Sequence, residues 1–191
     1  LSRRQRQMCI RDRYSRKALS YKMRLFAKKN IYSRGAWFVK NNILFHGSNV
    51  TVSKPKILIN GYYKDFGYGF YCTNIKRQAT RWALTKKGAS IINSYSYTEN
   101  ESLKVLQFET TTEEWLQFVV NCRRGIEYAF DIVEGPMADD QIWDYVEDYM
   151  SGKISKAAFW ELIKFKYPAH QIVFCTEDAL KTLHFERSET L

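Results

Sequence analysis

Hydrophobic and polar residues alternate in short blocks between residues 42 and 186, without a repeat period and without a linker rich in glycine, proline or serine. Apolar runs bounded by turn residues are typical of strands, which are predicted at 43–46, 68–73, 91–97, 103–108, 128–133, 171–175 and 183–185. The polar turn at 99–101 indicates that two of these strands form an antiparallel hairpin. This part of the chain therefore predicts one compact body.

Helical periodicity separates several of these strands. The clearest apolar stripe recurs at i, i+4, i+7 and i+8 and comprises Ile75, Ala79, Trp82 and Ala83. Further helices are predicted over about 112–124, 138–149, 155–163 and 177–180. Thr111 and Glu114 predict a capping box, Ser155 predicts a second cap, and Pro168 is expected to end the helix that Ser155 begins. The irregular order favours an α+β fold with mostly antiparallel strands over a regular βαβ sheet.

The formal net charge of +10 lies almost entirely in the first 34 residues. Residues 1–13 contribute +4 and residues 14–34 contribute +7, which leaves −1 for residues 35–191. We therefore expect the body to bind duplex DNA or RNA weakly and without a steep salt dependence. No apolar run approaches the roughly 20 residues that span a bilayer, and no signal peptide is evident, so no membrane partner and a cytoplasmic location are expected.

The basic segment divides into two parts. Residues 1–13 resemble the in-frame translation of a transposase-type sequencing adapter, and we interpret them as an artefact that carries no information on the fold. Residues 14–41 are interpreted as a basic arm, and the part before Met23 is not native if translation starts at that residue. Residues 42–187 then form a single domain. Resequencing the junction with another library chemistry tests the adapter hypothesis.

Cysteines and histidines give no clear motif. The wide spacing of Cys72, Cys122 and Cys175 favours core thiols over a disulfide framework or a zinc site, and no metal is expected. A Cys/His hydrolase that pairs Cys72 with His46 or His170 stays open, because such partners meet only in the fold.

Two aromatic residues lie where they could border one cleft. The glycine-spaced segment 67–71 lacks the third glycine of a dinucleotide fingerprint and the lysine of a P-loop, so alone it predicts only a strand entered through a tight turn. Tyr71 ends this segment, and Trp82 lies on the next predicted helix. A flat heterocycle could be held between the two rings.

Several short motifs occur in a recognisable order along the chain. They are His46-Gly47-Ser48, Asp65-Phe66-Gly67 followed by Gly69-Phe70-Tyr71, the segment 131–140 that ends in Asp139-Asp140, and the segment 171–180. In this order they resemble the ADP-ribosyltransferase superfamily of the His-Tyr-Glu type, which includes poly(ADP-ribose) polymerases and diphtheria-type toxins. The resemblance is closer to the bacterial family called domain of unknown function 3990, and it covers residues 43 to about 186.

The resemblance implies an ADP-ribosyltransferase-like fold, in which mostly antiparallel split sheets and flanking helices surround a cleft for NAD. The implied NAD-binding residues are His46, Gly47, Ser48, Gly69, Tyr71 and Trp82. In the superfamily, the position of His46 binds the adenosine ribose, that of Gly47 offers its backbone to the nicotinamide carboxamide, and that of Tyr71 stacks on the nicotinamide. Trp82 lies where polymerases of this branch place another stacking ring.

Two positions depart from the pattern of the superfamily. Ala79 replaces the serine that holds the carboxamide, and Gln171 replaces the glutamate of the third motif. That carboxylate stabilises the ribosyl cation, and a neutral amide in its place loses roughly 3 kcal/mol, on the order of a hundredfold in rate. The candidate catalytic residues are therefore Gln171, Asp139 and Asp140, with Glu109 as another carboxylate. The paired aspartates equally fit the first turn of a helix.

The expected function is transfer of ADP-ribose from NAD to a macromolecular acceptor by a mono-ADP-ribosyltransferase-like enzyme, with a toxin or effector role as one form. NAD is expected as the substrate, without a metal. A non-catalytic module that binds NAD or ADP-ribose is the alternative. The sequence identifies neither the acceptor nor an antitoxin or immunity partner.

Overall fold

A computed structural model describes residues 43–59, 64–138, 140–163 and 169–191. The interpretations of residues 1–13 and of the basic arm fall outside the described residues, as do those of Asp139 and Pro168. Within the described ranges, the chain forms an α+β domain with seven strands and five helices.

Most predicted elements are confirmed to within a few residues. The strands are β1 (Ile43–Ser48), β2 (Phe70–Cys72), β3 (Ile91–Tyr97), β4 (Val105–Gln107), β5 (Ile132–Pro136), β6 (His170–Phe174) and β7 (Leu183–Thr190). The helices are α1 (Lys76–Leu84), α2 (Glu113–Arg123), α3 (Asp140–Met150), α4 (Lys156–Ile163) and α5 (Glu177–Leu180). The predicted cap of α4 is confirmed, because Ala158 N donates to Ser155 Oγ at 3.2 Å.

The strands form two sheets. One has the order β1-β3-β7 and is antiparallel, and the other has the order β2-β6-β5-β4 and is mixed, with β4 and β5 parallel. Phe45 N donates to Thr73 O at 2.8 Å, and Thr73 N donates to Phe45 O at 2.9 Å. These two bonds join the sheets, so β1 lies beside the end of β2.

The predicted hairpin of residues 91–97 and 103–108 is wrong. β3 lies between β1 and β7, whereas β4 belongs to the other sheet and pairs with β5. The intervening turn, in which Ser102 N donates to Asn100 Oδ1 at 3.0 Å, carries the chain from one sheet to the other. A polar turn predicts where the chain changes direction, but the partner of the following strand depends on packing with distant residues.

Two local predictions are displaced. Thr112, not Thr111, caps α2, since its side chain accepts a hydrogen bond from Trp115 N at 3.2 Å. β5 begins at Ile132, four residues later than predicted. The preceding Tyr128 lies before the ladder, and its hydroxyl donates to a backbone carbonyl of the loop before β2.

Hydrophobic clusters cover both faces of the four-stranded sheet. The first cluster lies under α2, α3 and α4 and includes Phe66, Trp115, Phe118, Val133, Phe159 and Val173. The second cluster lies between the two sheets and includes Leu44, Tyr95, Ile132, Ile172 and Phe174. Successive residues of β6 thus point to opposite faces, as the pleat requires. Tyr71 packs against the first cluster.

Helix α1 packs closely on β1 because the contact residues are small. Ala79 and Ala83 are buried, whereas Ile75 and Trp82 are 37% and 46% exposed, so only half of the predicted stripe enters the core. A Cβ on Gly47 would lie 2.2 Å from Ala79 O. Glycine at this position therefore allows the backbone of α1 to rest directly on β1.

Gln78 on α1 is bonded to the first residue of β6. Gln78 Nε2 donates to His170 O at 2.6 Å, and His170 N donates to Gln78 Oε1 at 3.0 Å. A primary amide offers the same donor and acceptor as a peptide group, so this side chain continues the pairing where β2 has already ended. It ties α1 to the strand that carries Gln171.

Candidate functional site

His46 on β1 meets Tyr71 on β2 where the two sheets join. His46 Nδ1 lies 2.7 Å from Tyr71 O. A carbonyl oxygen can only accept, so Nδ1 carries the hydrogen and donates it. In the neutral imidazole, Nε2 is then an acceptor and is suited to a hydroxyl group of a ligand.

Two cations lie close to this imidazole. Burial lowers the pKa of His46 below its usual value, the hydrogen bond to Tyr71 O opposes this shift, and the charges of Lys64 and Lys86 lower the pKa further. His46 is therefore neutral at pH 7. A neutral acceptor beside two ammonium groups suits a ligand that has both hydroxyl groups and negative charge.

The phenol of Tyr71 is bonded to the loop before β2. Its Oη donates to Gly67 O at 2.7 Å and accepts from Phe66 N at 3.3 Å. Burial raises the pKa of Tyr71 well above its usual value, so the phenol stays protonated. Lys64 Nζ lies 4.4 Å from the ring centroid and covers one face of the ring.

Trp82 approaches the same region from α1. Its Cβ lies 3.0 Å from the position that a Cβ on Gly47 would occupy, and nearly half of the residue is exposed. Lys86 Nζ lies 5.7 Å from the centroid of its ring. Each of the two predicted stacking residues thus lies beside the segment formed by His46 and Gly47, and each has a lysine over its ring.

Gln171 on β6 lies on the same face of the sheet as Tyr71. Tyr71 pairs with Val173, and Gln171 precedes Val173 by two residues, so both side chains point to the side of the first cluster. Gln171 is buried. Its Nε2 donates to Asp65 Oδ2 at 3.2 Å and to Pro136 O at 3.3 Å.

Asp65 bonds to Gln171, and the sequence assigned it no role. Only 4% of the residue is exposed. Oδ1 accepts from Arg123 Nε at 3.1 Å and also from Arg123 Nη2, and Oδ2 accepts from Ala138 N at 2.8 Å as well as from Gln171 Nε2. The position of Asp65 within the second motif is the sequence signal that could have found it.

Ser48 and Gly69 have local roles in the fold. Ser48 Oγ accepts a hydrogen bond from Val50 N at 3.4 Å. A Cβ on Gly69 would lie 2.4 Å from Val173 Cγ1 and 2.8 Å from Phe174 O. Glycine at position 69 therefore permits the chain that enters β2 to approach β6.

The three carboxylates that could replace the missing glutamate lie in different parts of the chain. Asp139 lies outside the described residues, Asp140 begins α3, and Glu109 is exposed. The bond from Ala138 N to Asp65 brings the chain just before α3 next to Gln171.

The geometry does not favour a Cys/His hydrolase. Burial raises the pKa of the Cys72 thiol, whereas a nucleophilic cysteine needs a lowered pKa and access to solvent. His170 Nε2 lies 2.7 Å from Glu134 Oε1, and His46 bonds to Tyr71 O. His170 Nε2 therefore has another partner, and for His46, whose Nε2 is an acceptor, the buried and protonated Cys72 thiol is the obstacle.

The described residues contain neither a metal-binding cluster nor a membrane-spanning helix. No group of three or more His, Cys, Asp or Glu side chains is placed to bind a metal ion among the residues that the structure describes. In the same ranges, no helix has both the length and the apolar character needed to cross a bilayer.

The fold and the site define a two-sheet α+β domain in which His46, Tyr71 and Gln171 lie on three adjoining strands. The family described as "Protein of unknown function (DUF3990)" matches residues 42–185. The chain belongs to this family, as its motifs predict. No curated protein matches the chain.

Proposed function

We propose that this protein is a cytoplasmic mono-ADP-ribosyltransferase-like enzyme that binds NAD and transfers its ADP-ribose to a macromolecular acceptor. In this proposal the fold is of the ADP-ribosyltransferase type, and the NAD cleft lies between β1, β2, α1 and β6. The observation that carries the proposal is the 2.7 Å bond from His46 to Tyr71 O, with Gln171 on the strand paired to β2. It brings the three motif positions together from distant parts of the chain.

The groups around this point complement the parts of NAD. The neutral His46 offers Nε2 as an acceptor to a hydroxyl of the adenosine ribose. Tyr71 and Trp82 supply ring faces for the nicotinamide. Lys64 and Lys86 have their ammonium groups over these rings, and their positive charges complement the diphosphate of NAD.

The proposed reaction breaks the bond between nicotinamide and ribose. The electron pair leaves with the nicotinamide nitrogen, positive charge develops at the ribose, and a nucleophile of the acceptor forms the new bond and loses its proton. Gln171 Oε1 would accept a hydrogen bond from a hydroxyl of this ribose. Because the amide has no charge, we expect turnover roughly a hundredfold below that of a site with a glutamate.

The test is incubation of the protein with adenylate-labelled NAD and a whole-cell extract. Transfer of label to a macromolecule, with release of nicotinamide, supports the enzyme. Tight binding of NAD without any turnover supports the alternative, a non-catalytic module for NAD or ADP-ribose. A protein that neither binds NAD nor releases nicotinamide contradicts both.

The protonation state of His46 predicts how the affinity for NAD depends on pH. The affinity should be constant between pH 8 and pH 7, since the lowered pKa keeps His46 neutral there. At pH values below the lowered pKa, Nε2 becomes a donor and the affinity should fall. Calorimetric titrations at several pH values measure this, with His46→Asn as the control that should lack the decline. An affinity that rises on acidification would remove His46 from the ribose site.

The ring faces should matter more than the phenol oxygen. Tyr71→Ala and Trp82→Ala should each weaken NAD binding by about 1 kcal/mol, roughly fivefold. Tyr71→Phe should keep most of the affinity, because it loses only the bonds to the loop before β2. Calorimetry measures the affinities, with Trp160→Ala on α4 as the control. Equal affinities for wild type and both alanine variants would place the two rings outside the site.

A further inference from the structure

The buried carboxylate of Asp65 links three parts of the fold. It receives Arg123 from α2, Ala138 N from the segment before α3 and Gln171 Nε2 from β6. Arg123 has 21% of its side chain exposed, and Asp65 has 5%, so this ion pair is largely shielded from water. Ala138 and Gln171 both belong to the short motifs of the sequence, but only Gln171 is a candidate catalytic residue.

The hydrogen bonds of Gln171 determine which end of its amide is free. Nε2 has two hydrogens, and these go to Asp65 Oδ2 at 3.2 Å and Pro136 O at 3.3 Å. Oε1 has no hydrogen-bond partner among the described residues, and it is not one of their enclosed unpaired atoms. The side chain therefore offers an acceptor to a ligand and keeps its donors for the protein.

A carboxylate is well suited to hold this orientation. A free amide can rotate by half a turn with little change in shape, which exchanges its donor and its acceptor. Rotation here would point Gln171 Oε1 at Asp65 Oδ2 and at Pro136 O, which are all acceptors. Asp65 thus excludes the orientation in which Nε2 would face the ligand.

We propose that Asp65 is a positioning residue that holds Gln171 with Oε1 directed at the ligand, so that Oε1 accepts a hydrogen bond from a ribose hydroxyl. The identity of the ligand as a ribose rests on the proposed function, whereas the effect of Asp65 on the orientation of Gln171 does not. An N–H that donates to a carboxylate also makes the oxygen of the same amide a stronger acceptor. Because Arg123 offsets much of the charge of Asp65, orientation is the larger of the two effects.

Exchanging the two side chains tests this link through turnover. Asp65→Asn should lower the kcat of nicotinamide release by about tenfold and change the affinity for NAD less than twofold, since an asparagine tolerates both orientations of Gln171. Gln171→Glu alone places two acids together, so one of them keeps its proton to a higher pH than an isolated acid does, and the rate should rise with pH. The double variant keeps the charge of the wild type and moves it to the ligand. Its kcat should exceed that of the wild type by about tenfold or more, without that pH dependence.

Asp131→Asn is the matched control. Asp131 accepts from Lys104 N at 2.8 Å and from Thr176 Oγ1 at 2.9 Å, so the substitution also disturbs a bonded carboxylate. Asp131 precedes β5, four residues before Gly135, the partner of Gln171. The kcat of the Asp131→Asn variant should match that of the wild type. If Asp65→Asn retains the kcat of the wild type, or if the double variant is no faster than Asp65→Asn, the proposal is overturned.

A readout that needs no turnover separates this proposal from the proposed function. The side-chain amide hydrogens of Gln171, assigned with a Gln171→Leu variant, should exchange slowly with solvent in the wild type and much faster in Asp65→Asn. Equal exchange in both proteins overturns the link even if NAD is a substrate. Slow exchange that is lost in Asp65→Asn supports the link even if no NAD binds, in which case only the proposed function fails. If Asp65→Asn does not fold, the pH profile of Gln171→Glu decides, and a flat profile overturns the proposal.

Discussion

Asp65→Ala should lower the free energy of unfolding by about 3–5 kcal/mol, the cost of removing one member of a largely buried ion pair. Arg123 would lose its ion pair with Asp65, and both Ala138 N and Gln171 Nε2 would lose an acceptor. Such groups cannot recover these bonds from water while they stay buried. Urea denaturation followed by far-UV circular dichroism measures the change.

Asp178→Ala is the matched control for this effect. Asp178 also forms an ion pair, with Lys181 one helical turn away, but both side chains are more than 70% exposed. Water solvates the partner that remains, so the denaturation midpoint should not change. Equal midpoints for Asp65→Ala and wild type would show that the Asp65 cluster does not hold the fold together.

Gly47→Ala should lower the free energy of unfolding by about 3 kcal/mol, the upper part of the range for overpacked cores. The added Cβ would lie 2.2 Å from Ala79 O and 2.7 Å from Ala83 N. Both atoms belong to the backbone of α1, so no side-chain rotation can relieve the contact, and the helix must move away from β1. Thermal and urea denaturation measure the loss.

Gly152→Ala separates this clash from the conformational cost of replacing a glycine. Gly152 has φ +76° and nothing within 4 Å of a Cβ, so alanine there should cost only about 1 kcal/mol. A Gly47→Ala variant that is no less stable than Gly152→Ala would contradict the close packing of α1 on β1. Because Trp82 lies on α1, the same displacement should also weaken NAD binding if the proposed site is correct.

Local patterns predicted the elements better than their partners. Turn residues and periodicity were sufficient to predict the strand at 43–46 and the helices at 112–124 and 177–180. Such signals depend only on residues that are close together in the chain. The partners of β3 and β4 could not be predicted this way, since β3 pairs with β1 and β7, and β4 pairs with β5, whose residues are 27 positions further along the chain (Val105 with Ile132). β5 was predicted to begin too early because Tyr128 and Phe130 have core side chains. These side chains pack in the first cluster, whereas β5 begins only at Ile132.

The candidate site likewise contains residues that local motifs suggested and one residue, Asp65, that they did not. His46, Tyr71 and Gln171 were candidates because each belongs to a short motif, and the fold places them on adjoining strands. Asp65 had no assigned role because its partners Arg123, Ala138 and Gln171 are 58, 73 and 106 residues away in the chain. A charged residue beside a turn ordinarily predicts exposure, and nothing local to Asp65 indicates that a guanidinium arrives from α2.

The bidentate contact of Gln78 with His170 also affects how the protein behaves at high concentration. An unpaired stretch of strand is a template on which another chain can add, and β6 would have such a stretch beyond the end of β2. Gln78 occupies both backbone groups of His170 and leaves them unable to pair with a second molecule. One glutamine side chain thus protects this stretch of β6 against intermolecular strand addition.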